Sequence, residues 1–226
     1  MRRFDVLDVV QGSPEWRAAR LGRLTGSCAD AVWAERKRGT GELEARRKLR
    51  ERLVAERMAH LSQEDEFTTD ALERGHEAEP LARAAYEAET GLLVQETGFL
   101  AHRDLPAGCS LDGHVGDFAG IVEIKCPKTK THLRYLRAGV VPDDYLPQIL
   151  HNLWITGAQW CDFISWDDRV PAPVPPLFVV RVHHAEDAIR AYEKKALAFL
   201  EEVDAEYRSW FGWSQAPAEV DHVVTA

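Results

Sequence analysis

The chain has 226 residues, 45% of them hydrophobic and 29% charged, with 7 Trp. That excludes a low-complexity disordered segment, and with no run approaching roughly 18 apolar residues it excludes a membrane span. The net charge of -9 hides an asymmetry: residues 1–60 carry 14 Lys/Arg against 9 Asp/Glu, a balance of +5, and the remainder carries -14. Only the N-terminal quarter can therefore offer a continuous basic face.

In chain order, Met1-Arg2-Arg3-Phe4 has no apolar run behind its arginines and does not read as a signal peptide. Ser13-Pro14 predicts a helix start, Ser as N-cap and Pro at the first position. Thr25-Gly26-Ser27 predicts a second start capped by Ser27. The basic segment Arg36-Lys37-Arg38-Gly39 reads as a loop. It precedes a charged helix from Glu42 to about His60, with Leu49, Leu53 and Met58 on its apolar side. Asp70 or Thr69 opens a further helix that Gly91 closes. Residues 92–102, 108–115 and 120–126 read as strands, with turns at Leu105-Pro106 and Gly116-Asp117. Helices are predicted for 132–137 and 143–156. Strands follow at 160–166 and 177–182, on either side of a loop with four prolines in residues 171–176. An amphipathic helix from about Ala185 to Trp210 closes the chain, and residues after Ser214 read as a loose tail. This is an α/β pattern, a mixed central sheet flanked by helices. The four cysteines, Cys28, Cys109, Cys126 and Cys161, lie far apart without a C-x-x-C pair. They argue against a zinc knuckle or disulfide framework and fit a reducing cytosol.

One segment carries chemistry: Ser110-Leu111-Asp112-Gly113, then Glu123-Ile124-Lys125-Cys126-Pro127. Alternate residues of a strand share a face, so Glu123 and Lys125 point the same way and Ile124 the other. A hairpin-length return brings Asp112 beside them. Two carboxylates with one ammonium suit a Mg²⁺ site next to an activated water. The same residues also describe a cross-strand ion pair and a turn. Glu77 and Glu79, in Arg74-Gly75-His76-Glu77-Ala78-Glu79, lie early in a helix, where one of them can reach the sheet edge and the other is solvated. Tyr145 and Gln148 share a helix face, and Gln148 within an apolar stretch needs a partner if buried.

These pieces, in this order, resemble the lambda-type phage exonucleases, also called YqaJ-type or alkaline-exonuclease viral recombinases, whose members have a PD-(D/E)xK restriction-endonuclease-like core. The resemblance runs from about Trp16 to Asp167. It rests on Trp16-Arg17-Ala18-Ala19-Arg20-Leu21-Gly22 with Thr25-Gly26-Ser27, on Arg74-Gly75 through Glu79, on Cys109 through Gly113, on Glu123 through Pro127, and on Tyr145-Leu146-Pro147-Gln148. It implies that Asp112, Glu123 and the Ile124 carbonyl hold one or two Mg²⁺ or Mn²⁺ ions, with Glu79 as a further acidic residue. It implies that Lys125 orients or deprotonates the water, and that Gln148 lies beside the scissile phosphate with Tyr145 in support. Arg20, Ser27 and Ser110 match residues that hold a terminal 5′-phosphate, and a helix capped at Ser27 would attract that anion. Leu111 replaces the family's usual proline.

The implied activity is 5′→3′ digestion of one strand of linear double-stranded DNA, leaving 3′ overhangs for a single-strand annealing protein. The implied assembly is a homotrimeric ring, its channel lined by the basic quarter, in the cytoplasm of a bacterial host of a phage or prophage. No iron–sulfur cluster is expected from the scattered cysteines. Residues 1–226 then read as one nuclease domain, with a helical, partly basic part at 1–62, the core and closing helix at 63–213 and the tail at 214–226. A Cas4-like or helicase-associated nuclease of the same core, a site-specific endonuclease and a catalytically silent DNA-end-binding subunit remain as alternatives.

Overall fold

In the computed structural model, residues 2–35, 41–63 and 70–212 are described, with the side chains of all but 70–73 and 76. The Arg36–Gly39 loop, the Thr69 helix start and the tail after Ser214 lie outside the described residues. The elements are β1 (Phe4–Leu7), α1 (Pro14–Arg20), β2 (Leu24–Thr25), α2 (Ala29–Trp33), α3 (Glu44–Ala59), α4 (Asp70–Thr90), β3 (Phe99–His102), β4 (Ala107–Ser110), β5 (Gly113–Val115), β6 (Gly120–Lys125), α5 (Thr129–Ala138), α6 (Leu146–Thr156), β7 (Trp160–Trp166), β8 (Leu177–His183) and α7 (Glu186–Ser209). Single 3₁₀ turns cover Gly26–Cys28, Asp143–Tyr145 and Trp210–Gly212.

The α/β class stands, with mixed sheets between helices, but among the described residues the strands form two four-stranded sheets and not one central sheet. Their orders are β1-β3-β4-β2 and β5-β6-β7-β8. The first strand expectation is shortened to Phe99–His102, because residues before it make only an isolated bridge, Gln95 to His114. The second is broken in two. Its first half, β4, pairs antiparallel with β3 and parallel with β2, and its second half, β5, pairs antiparallel with β6. The break falls at Leu111-Asp112, where the chain leaves one sheet and enters the other. Strands β1 and β2 are too short for a period to register in sequence.

Local chemistry explains most element ends. Ser13 accepts a hydrogen bond from Trp16 N at 3.1 Å, as the N-cap of α1. Gly91, at φ +70°, closes α4. Ser27 does not cap α2: it lies inside the 3₁₀ turn, the cap of α2 is Cys28, and that helix is only 5 residues long. The charged helix begins at Glu44, and Met58 faces solvent while Val54 takes the core position. The helix expected from Asp143 starts as the 3₁₀ turn and becomes α-helical at Leu146.

Strand β6 separates two cores. Ile121 belongs to the larger one under α6 and α7, and Val122 and Ile124 belong to the smaller one under Ala82 and Tyr86 of α4. Helix α4 is pinned to the second sheet by Tyr86, whose hydroxyl donates to Asp162 at 2.7 Å. Arg181 closes the same buried carboxylate with two bonds of 2.7 Å. The proline-rich loop is tethered by His132, fully buried between Ser165 Oγ (2.8 Å) and the Pro175 carbonyl (3.1 Å).

Helix α6 is fixed by His151, which contacts the Gly108 carbonyl of β4 at 2.9 Å and the Tyr192 hydroxyl of α7 at 2.7 Å. The carbonyl can only accept, so Nε2 carries the proton and Nδ1 accepts from Tyr192. Burial pushes this imidazole down from 6.5 to about 4. The unfolded chain therefore binds the proton at a higher pH than the folded one. Stability from this group is full above about pH 6.5 and falls toward pH 4 by about 1.4 kcal/mol per unit. In urea unfolding, the stability advantage of the wild type over His151→Asn should shrink at that slope between pH 6.5 and 4.5. A constant advantage across this range would contradict a buried neutral histidine.

Candidate active site

Strand β6 carries Glu123 on the face covered by α6, and this carboxylate is only 1% exposed. Three donors from two elements converge on it. Gln148 Nε2 reaches Oε1 at 2.7 Å, Asn152 Nδ2 reaches Oε2 at 3.3 Å, and Lys125 Nζ lies 2.5 Å from Oε1. Gln148 and Asn152 stand one helical turn apart on α6, and His151 shares their side of the helix. The Gly113–Val122 pairing brings Asp112 level with Glu123, and Asp112 Oδ2 accepts the Ile124 amide at 2.6 Å. The turn between sheets thus aims Asp112 at the middle of the Glu-Ile-Lys run.

Burial pushes the Glu123 carboxyl up to about 7; Lys125 opposes the rise, while Asp112 and Glu79 add to it. Burial also works against the Lys125 ammonium, but the charges of Glu123 and Asp112 outweigh it and hold its pKa above the ordinary lysine value. Lys125 therefore stays protonated. Its nitrogen faces the Tyr145 ring, 5.3 Å from the centroid, and Tyr145 in turn packs on Phe163.

Glu79 reaches the same neighbourhood from α4, whereas Glu77 is exposed. Its Oε1 binds Arg83 Nη2 at 2.9 Å, and that guanidinium also donates to the Asp112 carbonyl at 3.2 Å. Among the described residues no three His, Cys, Asp or Glu side chains gather closely enough to hold a metal by themselves. Asp112 and Glu123 remain as a two-carboxylate donor pair. That set fits Mg²⁺, which keeps several waters and is held by one or two carboxylates together with substrate phosphate. A cleft of about 750 Å³ leads from Asp112 and Glu79 past Arg83 to Trp16, Arg17 and Val10.

The residues matched to 5′-phosphate binding lie together. Arg20 Nη2 donates to Ser27 Oγ at 3.3 Å, and Thr25 Oγ1 is 3.2 Å from the same oxygen. The Arg20 guanidinium stacks on Trp16, 4.2 Å from the ring centroid, and Trp16 Nε1 donates to Ser110 Oγ at 2.8 Å. With α2 so short, the electropositive character here comes from side chains and not from a helix end. Arg17, Arg20, Arg23 and Arg52 border one small cleft with Thr25 and Glu56. Among the described residues, the rest of the basic quarter does not form a continuous face. Arg46, Arg50 and Arg57 of α3 pair with Glu202, Glu206 and Asp204 of α7, while Arg47 and Lys48 pair with Glu51 and Glu44 on their own helix.

Sequence reasoning missed Asn152, Arg83, Arg23 and Arg52, and gave no role to Trp16 and Arg17, which it named only within the motif. Asn152 had a usable signal, standing four residues after Gln148 within the same apolar helix. Arg83 had one too, at i+4 from Glu79. Nothing in the sequence placed Arg52 beside Arg20.

Comparison with known proteins identifies the family and the fold. The family of YqaJ-like viral recombinase domains matches residues 15–159. Two solved structures of the alkaline exonuclease LHK-Exo from Laribacter hongkongensis are similar. The one in complex with dAMP is 36% identical, with TM-score 0.78, covering 88% of this chain and 96% of that one. The other is 35% identical, with TM-score 0.78, covering 88% and 97%. A phage-related exonuclease from Haemophilus somnus 129PT shares the fold at 13% identity, with TM-score 0.59 over 83% of this chain and 96% of that one. No curated protein matches.

A divalent cation seated on Asp112 and Glu123 would compete with the proton on a carboxyl whose pKa is about 7. Titrating Mn²⁺ at pH 7 in buffers of different ionisation enthalpy should show net proton release, abolished in Glu123→Gln. Binding heat that is independent of buffer would contradict the raised carboxyl.

Proposed function

The chain belongs to the YqaJ-like viral recombinase family, and on that premise we propose that it is a Mg²⁺-dependent 5′→3′ exonuclease. It digests one strand of linear double-stranded DNA and leaves 3′ single-stranded overhangs. The observation that carries this reading is the convergence of Lys125 and Gln148 on the buried Glu123, at 2.5 and 2.7 Å, beside Asp112. Binding of dAMP, a 5′-mononucleotide, by the similar alkaline exonuclease supports release of 5′-phosphorylated nucleotides.

Asp112 and Glu123 would hold the cation, which when bound polarises the scissile phosphate and lowers the pKa of a water. Lys125, its ammonium held by Glu123 and Asp112, orients the attacking water or a phosphate oxygen. Gln148 fixes the Glu123 carboxylate, and the Tyr145 ring keeps the Lys125 ammonium over the site. Arg20 offers its guanidinium fork to a terminal phosphate, and Arg17, Arg23 and Arg52 add to the attraction. Ser110 accepts from Trp16 and so keeps its own O–H proton for the same anion. A phosphate held there while hydrolysis proceeds at Glu123 defines an end-dependent, directional enzyme.

The proposed assembly is a homotrimeric ring around the duplex that passes its 3′ strand to a single-strand annealing protein. The proposed setting is the bacterial cytoplasm, with a phage or prophage origin. Among the described residues, no helix is long and apolar enough to cross a membrane.

Asp112→Ala and Lys125→Ala should each slow digestion of linear duplex DNA at least about 10²-fold while duplex binding in EDTA persists. Full metal-dependent activity in both would refute the assignment. Arg20→Ala should raise KM for 5′-phosphorylated ends about 10-fold or more and leave 5′-hydroxyl ends unaffected. Equal effects on both ends would dismiss the phosphate pocket.

A further inference from the structure

Asn152 is 1% exposed and spends its amide nitrogen on Glu123 Oε2 at 3.3 Å. A carboxylate oxygen facing it fixes the amide orientation, so the carbonyl oxygen Oδ1 points the other way. That oxygen is buried and has no hydrogen-bond partner. Folded proteins retain few such acceptors, because each forgoes its water without replacement.

What Oδ1 faces is Gly26. A methyl group built on Gly26 would lie 2.5 Å from Asn152 Oδ1 and 3.3 Å from Gln148 Cγ. Gly26 has no positive φ, so glycine is required by space and not by backbone conformation. The turn of Thr25, Gly26 and Ser27 therefore packs directly against the Asn152 amide and the Gln148 side-chain stem, the two side chains of α6 that hold the catalytic carboxylate. The same turn presents Ser27 to Arg20 at 3.3 Å. Strand β2 holds the turn from behind, with Thr25 paired to Gly108. His151 holds α6 to the carbonyl of that same Gly108 at 2.9 Å. Close-packed contacts of this kind transmit small displacements.

We propose that Asn152 is a positioning residue that couples occupation of the Thr25–Ser27 turn by a DNA 5′-phosphate to the orientation of the Glu123 carboxylate. The terminal phosphate then raises turnover as well as affinity. This rests on the nuclease reading above. Gln148 holds the other carboxylate oxygen, so losing Asn152 frees one side of Glu123 without releasing it.

The test is steady-state digestion of linear duplexes bearing 5′-phosphate or 5′-hydroxyl ends. Binding of the phosphorylated duplex is followed by fluorescence anisotropy in EDTA. The wild type should show a kcat about 10-fold higher on phosphorylated ends, a typical coupling between sites. In Asn152→Ala that kcat ratio should fall to about 1 while duplex affinity in EDTA is unchanged, and in Gly26→Ala the ratio should fall likewise. The double variant should lose no more than Asn152→Ala alone, because both act through one contact. Variants that keep the wild-type ratio, or that slow both ends by the same factor, would overturn the coupling, as would a wild type that discriminates in KM only. If Asn152→Ala does not fold, Gly26→Ala carries the same comparison. A wild type that digests no duplex with Mg²⁺ would instead remove the nuclease reading.

Discussion

A carboxylate can be taken out of water only where donors replace the solvent, and Glu123 sets that condition for the centre of this molecule. Gln148, Asn152 and Lys125 supply the donors. Two of them come from α6, so the position of that helix is tied to the charge. The remaining contacts of α6 serve the same end: His151 bonds to β4 and α7, and Ile149, Leu153 and Ile155 are fully buried. A helix anchored by its apolar and polar sides at once gives the carboxylate a fixed orientation.

The second constraint is the passage between sheets. Asp112 sits at the break between β4 and β5 and bonds the Ile124 amide at 2.6 Å. Ser110, two residues earlier, belongs to the first sheet and bonds Trp16. One short segment therefore links the arginine-lined cleft around Arg20 to the two-carboxylate site, and the Gly26 turn makes a second link through α6. The negative overall charge is reconciled with a polyanionic substrate by segregation. Acidic side chains of α7 neutralise much of α3, and Arg17, Arg20, Arg23 and Arg52 gather beside Thr25.

Much of this was legible in sequence where one residue carried a local signal. The Ser13 cap, the Gly91 stop, the β6 alternation and the strands flanking the proline-rich loop all follow from short-range rules. Asp112, Glu123 and Lys125 were legible because strand period and hairpin spacing determine which side chains meet. What depends on long-range packing was not. The split into two sheets falls at Leu111-Asp112, and Leu111, 3% exposed, reads in sequence as one more strand residue. Ser27 satisfies a cap pattern, yet the turn it occupies is set by Gly26 against α6. The basic quarter looked like a DNA-facing surface because its α7 partners lie about 150 positions away in the chain, as in the Arg46–Glu202 pair.

The most direct measurement is anomalous diffraction from crystals of the protein soaked in Mn²⁺ with a 5′-phosphorylated DNA end. The account predicts a peak about 2.2 Å from oxygens of both Asp112 and Glu123, with the terminal phosphate beside Arg20 and Ser27. A peak held elsewhere, or carboxylates that keep their mutual contacts and take no ion, would contradict it.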